Sequence, residues 1–208
     1  MKKQIISLLV VLTLALTGCL SGANPFGSQR GNTFGIQKML NKQETFVFNS
    51  LPKTVGELKA MPEAALTTPH MTAALTVAAL CAYGENPTAS INMLNVLRGP
   101  QPLSARTIQL MRDTLRNKAY KPFSYLEGAT PQNGYAPNTP YTITVSEQGT
   151  SYSNAEPDYA KLFIQSGGAD IARPVTLRLK PSTGQWFLTE FSSLLLDMRT
   201  PDSQNLWR

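Results

Sequence analysis

Apolar and polar residues alternate most regularly between Tyr159 and Phe191. Val175, Leu177 and Leu179 interleave with Thr176, Arg178 and Lys180, the period-two pattern of a strand with one buried and one wet face. Pro181-Ser-Thr-Gly184 reads as a four-residue hairpin loop, with Gly184 available for a positive φ. Gln185–Glu190 returns as a second strand carrying Trp186, and Tyr159–Gln165 supplies a third before the Ser-Gly-Gly break. Tyr141-Thr-Ile-Thr-Val145 adds another, after a loop marked by Pro131, Asn133-Gly134, Pro137 and Pro140. Thr45–Asn49 predicts a short edge strand. A meander of this kind exposes one apolar face, and something must cover it.

The helical period supplies the cover. Thr68 and Pro69 give a favoured cap and first position for a helix over Pro69–Tyr83, with Gly84 at its end. Met71, Ala74, Leu75, Val77, Ala78 and Cys81 take up well over half its circumference, leaving Thr72, Thr76 and Tyr83 as a polar stripe. A helix this apolar belongs in the centre of the fold. Asn86-Pro87 starts a second helix with Ile91, Leu94 and Leu97 inward, stopped by Gly99-Pro100. Ser104 caps a third, with Ile108, Met111, Leu115 and Ala119 as its seam. A shorter helix begins at the Thr54-x-x-Glu57 capping box, with Leu58 and Met61 inward, and ends at Pro62. The fold class is therefore α+β: an N-terminal helical layer of about three main helices packed on a C-terminal antiparallel β-meander.

The first residues follow different rules. Lys2 and Lys3 precede the apolar run Ile5–Leu16, and Leu16-Thr17-Gly18-Cys19 follows it. A basic start, a short apolar run and small residues before a cysteine make an export signal over residues 1–18. The run is shorter than the roughly 20 residues a permanent span needs. The tetrapeptide resembles the bacterial lipobox, whose cysteine becomes the lipidated, palmitate-bearing N-terminus. Cys19 is accordingly the expected lipidation site, and the protein an exported lipoprotein anchored to the outer face of the cell membrane. Residues 19–45, rich in Gly, Asn, Ser and Gln, read as a flexible tether with a reach of roughly 25–30 Å. A helical turn over Phe34–Asn41 is possible within it, and residues 46–208 form a single domain.

Cleavage leaves 190 of the 208 residues. With Lys2 and Lys3 gone, 19 basic residues fall to 17 against 13 acids, so the net charge is +4 rather than +6. This mild excess and the export signal both argue against a nucleic-acid partner. If Cys19 carries lipid, Cys81 has no intramolecular partner, and its apolar surroundings predict a buried, inert thiol. Six basic residues and one acid fall between Arg98 and Lys121. They read as a solvated face or as a contact for an anionic envelope surface.

Several blocks together resemble an uncharacterised bacterial family. They are ALTTPHMTAALTVAALCAY (65–83), MLNVLRGPQPLS (93–104), PFSYLEGATPQNGYAPNTPYTITV (122–145) and the meander through GQWFL. The family is a numbered domain of unknown function seen mainly in Firmicutes, and the resemblance covers roughly residues 50–205. It implies one intact domain and carries no activity, cofactor or site residue.

The chemistry that remains is sparse. His70 is the one histidine, which excludes histidine-based metal cages, and no nucleophile elbow, phosphate loop, dinucleotide fingerprint or CxxC pair occurs. No cofactor is expected. His70 and Cys81 stand eleven residues apart on one helix, about 16 Å, too far to share a proton; His70 reads as a surface residue. Glu127, Asp170, Glu190 and Asp197 are candidates for a carboxylate pair by their places near loops and strand ends. Six of seven tyrosines (Tyr120, Tyr125, Tyr135, Tyr141, Tyr152, Tyr159) cluster in one section, as an aromatic platform or as half-buried packing. Trp186 shares a strand face with Leu188 and Glu190, and is expected in the core. Two functions fit: a non-catalytic, lipid-anchored envelope domain binding a protein, peptide or glycan, or a small envelope hydrolase using paired carboxylates.

Overall fold

The computed structural model describes residues 42–207. The export signal, Cys19, most of the tether and the turn expected over Phe34–Asn41 lie outside the described residues.

The first strand, β1 (Gln43–Phe48), alternates as its sequence demands: Phe46 and Phe48 are buried while Thr45 and Val47 face water. Helix α1 (Val55–Ala60) starts where the Thr54 hydroxyl accepts the Glu57 N–H, and Leu58 is its buried residue. The Glu57 carboxylate reaches one residue further back than in a capping box, accepting the Lys53 N–H at 2.8 Å. Pro62–Ala65 makes one 3-10 turn. Helix α2 (Pro69–Cys81) is capped by the Thr68 hydroxyl, which accepts the Met71 N–H. Then come α3 (Pro87–Arg98), capped by Asn86, α4 (Ala105–Leu115), capped by Ser104, and the single turn α5 (Tyr120–Phe123).

Four strands complete the sheet: β2 (Tyr141–Ser146), β3 (Tyr159–Ile164), β4 (Arg173–Lys180) and β5 (Gln185–Glu190). They lie in the order β1-β2-β3-β4-β5, every neighbouring pair antiparallel. The protein is thus α+β, as predicted. β1 departs from a purely C-terminal meander, because it pairs with β2 across the whole helical half, Glu44 opposite Val145. Gly184 adopts φ +68° in the β4–β5 loop, as the hairpin required.

Helix α2 organises the core. It packs against all five strands on one side and against α3 and α5 elsewhere. Every α2 residue except Met71 is buried. The expected polar stripe is therefore an internal one. Thr72 donates its hydroxyl to the Trp186 carbonyl at 2.7 Å, and Thr76 donates to the Thr72 carbonyl at 2.8 Å. Each threonine satisfies its polar atom inside the core, which is the condition for burying it. Cys81 is buried as expected, and desolvation pushes its thiol pKa up.

Three expectations need correction. Trp186 is half-buried, not internal, because β5 is an edge strand and the tryptophan sits at the core's rim; Leu188 on the same face is fully buried. The α4 seam holds for Met111 and Leu115, but the helix stops at Leu115 and the left-handed Asn117 (φ 57°) turns the chain away. Ala119 is consequently exposed. Lys121 is no part of a solvated face: it is buried, its Nζ donates to the Leu195 carbonyl at 2.8 Å, and burial lowers its pKa.

Candidate functional site

Two of the four acids singled out in the sequence are engaged by other groups. Glu127, Asp170, Glu190 and Asp197 are all exposed. Asp170 pairs with Arg199. Glu190 lies at the end of β5, where its carboxylate accepts the Ser192 N–H at 2.6 Å; burial would raise its pKa, but the hydrogen bonds from Ser192 and Phe191 and the nearby Arg98 bring it below the usual carboxylate range. The tyrosines divide in the same way. Tyr125 and Tyr135 are buried, their hydroxyls donating to the Leu194 and Arg199 carbonyls, and Tyr152 alone of the six is exposed.

Two of those tyrosines brace the C-terminal segment. Tyr135 stacks on Tyr120 with ring centroids 5.3 Å apart and ties down Arg199 through its carbonyl at 2.7 Å. The Arg199 N–H reaches the Gly168 carbonyl at 2.9 Å, and the Asp202 N–H reaches the Pro131 carbonyl at 3.0 Å. The C-terminal segment is thereby laid beside the loop between α5 and β2. That loop is held by Asn133, which accepts the Thr130 N–H and donates to the Gly128 and Ala136 carbonyls.

Between segment and loop lies a cavity of about 470 Å³ lined by Thr130, Pro131, Gln132, Gly167, Arg199, Thr200, Asp202 and Asn205. Thr130 and Gly167 also border a neighbouring hollow of about 300 Å³, whose walls include Glu127, Thr142, Thr144 and Gln165. Thr130, Gln132, Thr200 and Asn205 bring hydroxyls and amides to the first, and Arg199 and Asp202 are its charged groups. The tail continues past Asn205 into Leu206 and Trp207, which are 94% and 95% exposed, and the Trp207 N–H donates to the Asn205 side chain at 3.0 Å. An exposed tryptophan beside a wall of amides and hydroxyls offers an apolar face and hydrogen-bonding groups to one ligand.

His70 is the other surprise. It is 1% exposed, not a surface residue. Its Nδ1 lies 3.7 Å from a Glu44 carboxylate oxygen and its Nε2 lies 3.5 Å from one of Glu147. Lys42 pairs with Glu44, and Tyr152 donates to Glu147 at 3.0 Å. Neither ring nitrogen has a hydrogen-bond partner among the described residues. Desolvation lowers the His70 pKa, against the two carboxylates that raise it and with Lys42, which lowers it further.

The sign of the stability effect follows. A native pKa below the usual value of about 6.5 means that the unfolded chain binds more protons in that interval. Stability should therefore fall as pH drops below about 6.5, by at most about 1.4 kcal/mol per pH unit for one proton. Urea unfolding from pH 7.5 to 5.5 should show a smaller loss in His70→Gln than in the wild type. Equal pH slopes in the two proteins would contradict this assignment.

Residues 50–202 match the model of a family described as a domain of unknown function, DUF6935. No curated protein and no solved structure gives a match.

Proposed function

Since the chain belongs to the DUF6935 family, whose function is unknown, we propose that it is a non-catalytic binding domain of a bacterial envelope, of Firmicutes type, held to the outer face of the membrane through lipid on Cys19. The observation that carries the binding reading is the polar cavity of about 470 Å³ beside the exposed Trp207. Thr130, Gln132, Thr200 and Asn205 supply neutral donors and acceptors, Arg199 is paired with Asp170, and Asp202 adds a carboxylate to the wall. That combination suits a neutral polyhydroxy ligand, a cell-wall glycan, better than an anion.

The test is a titration of the full chain, purified in detergent, with soluble glycan fragments of cell wall. Asn205→Ala and Trp207→Ala change exposed or half-exposed tail residues and should leave the melting temperature within about 2 °C, since surface changes stay within about 0.5 kcal/mol. Each should weaken binding about tenfold, the effect of losing one well-used contact. Unchanged affinity in both variants would overturn the assignment, and cleavage of the fragments would favour the paired-carboxylate hydrolase instead.

The anchor is tested separately. Cys19→Ser should move the protein from the membrane fraction to the soluble exported fraction. Unchanged membrane partition, with no lipid mass on the N-terminal peptide, would contradict it.

A further inference from the structure

A second notch lies elsewhere, between the C-terminal end of α3 and the β4–β5 hairpin, and its chemistry is opposite to that of the polar cavity. It encloses about 210 Å³. Its apolar lining includes Phe187, which shares a strand face with its register partner Arg178, together with Pro100 and Pro181, and three cations, Arg98, Arg178 and Lys180, line it as well. No carboxylate is among the described residues that line it.

Each part is held in place. Arg98 ends α3, donates to the Gln101 carbonyl at 2.8 Å and to the Thr189 carbonyl at 2.7 Å, and is half-buried. Its guanidinium is thus fixed at the mouth by two backbone acceptors that neutralise no charge. Arg178 lies over the Tyr159 ring at 5.2 Å, which orients the side chain and leaves its charge. Phe187 is pressed against Gly99: a Cβ at that glycine would stand 2.5 Å from the Phe187 ring. The carboxylate that acts on Arg98 is Glu190, one of whose two oxygens accepts the Ser192 N–H.

We infer that this notch is a docking site for an acidic peptide segment, which places one apolar side chain against Phe187 and its flanking carboxylates against Arg98, Arg178 and Lys180. Charge complementarity selects the partner's sign, because three cations gathered around one apolar opening repel each other until an anion arrives. Arginine favours carboxylates through its paired donors. The volume selects a side chain, being smaller than the roughly 300–1,000 Å³ typical of pockets for drug-sized ligands. A bilayer surface fits less well. Phe187 is half-buried and packed against Gly99, so it does not project to enter lipid.

The experiment uses the full chain in detergent and three fluorescein-labelled hexapeptides. One is acidic with a single central Phe; in the second Ser replaces that Phe; in the third Asn and Gln replace the acids. Anisotropy should show binding of the first, weakening as salt is raised, with the other two about tenfold weaker or more. The double variant Arg178→Gln, Lys180→Gln alters two exposed side chains, so its melting should be unchanged while the first peptide binds about tenfold less tightly. Equal binding of all three peptides, or no loss in the double variant, would overturn the proposal. So would capture by phosphatidylglycerol vesicles with no binding of any peptide, which would make the notch a reader of lipid surface.

Discussion

Leu75→Ala should lower the unfolding free energy by about 2–5 kcal/mol, the range for truncating a leucine that cannot be replaced by collapse of its surroundings. Leu75 has no exposed surface and sits in α2, which touches all five strands. Its neighbours along α2 include Ala73, Ala74, Ala78 and Ala79, all without exposed surface. These small residues let the sheet and α3 approach closely, and they have no length with which to fill a void. Since a domain of this size is stable by only about 5–15 kcal/mol, the variant should show a much lower urea midpoint at an unchanged slope. A loss below about 1 kcal/mol would mean that α2 is not the packing centre.

Gly167→Ala should be the most damaging change at the candidate site. Gly167 donates its N–H to the Ser124 carbonyl at 2.8 Å, which brings the turn after β3 flush against the loop after α5. A Cβ there would stand 2.0 Å from the Ala129 carbonyl oxygen and 3.1 Å from its carbon. Both atoms are backbone, so relief requires the whole loop to move. Overpacking of this kind costs about 1–3 kcal/mol. Because Gly167 and Thr130 border both hollows, the variant should also lose glycan binding, unlike a mere loss of stability. Gly149→Ala is the control: a Cβ there meets nothing within 4 Å, so stability and binding should stay as in the wild type. Equal effects of the two substitutions would remove the close approach from the account.

Gly167 also shows where reading the sequence stops. The Ser-Gly-Gly break was legible as a turn, but its backbone does not adopt a positive φ. Only the folded chain reveals that the glycine is needed for contact with Ala129. Helix α2 was legible almost in full, because its cap, its proline and its apolar circumference are all local signals. The burial of Thr72 and Thr76 was not, since one acceptor is the Trp186 carbonyl, 114 residues along the chain. His70 failed for the same reason: its carboxylate neighbours come from β1 and from just beyond β2. For Trp186 the period could not choose a face, since Trp186 and Phe187 head opposite faces of β5, and an edge strand leaves the tryptophan at the rim. The polar cavity joins a loop near residue 130 to a tail near residue 200, and no spacing in the sequence connects them.

The measurement that bears most directly on the proposed binding site is an amide chemical-shift titration of the full chain in detergent with soluble cell-wall glycan fragments. The account predicts saturable shifts concentrated at Gln132, Thr200, Asn205 and Trp207, with Arg178 and Lys180 unmoved. Shifts confined to the Arg98–Lys180 notch, or none at any of these amides at millimolar glycan, would contradict it.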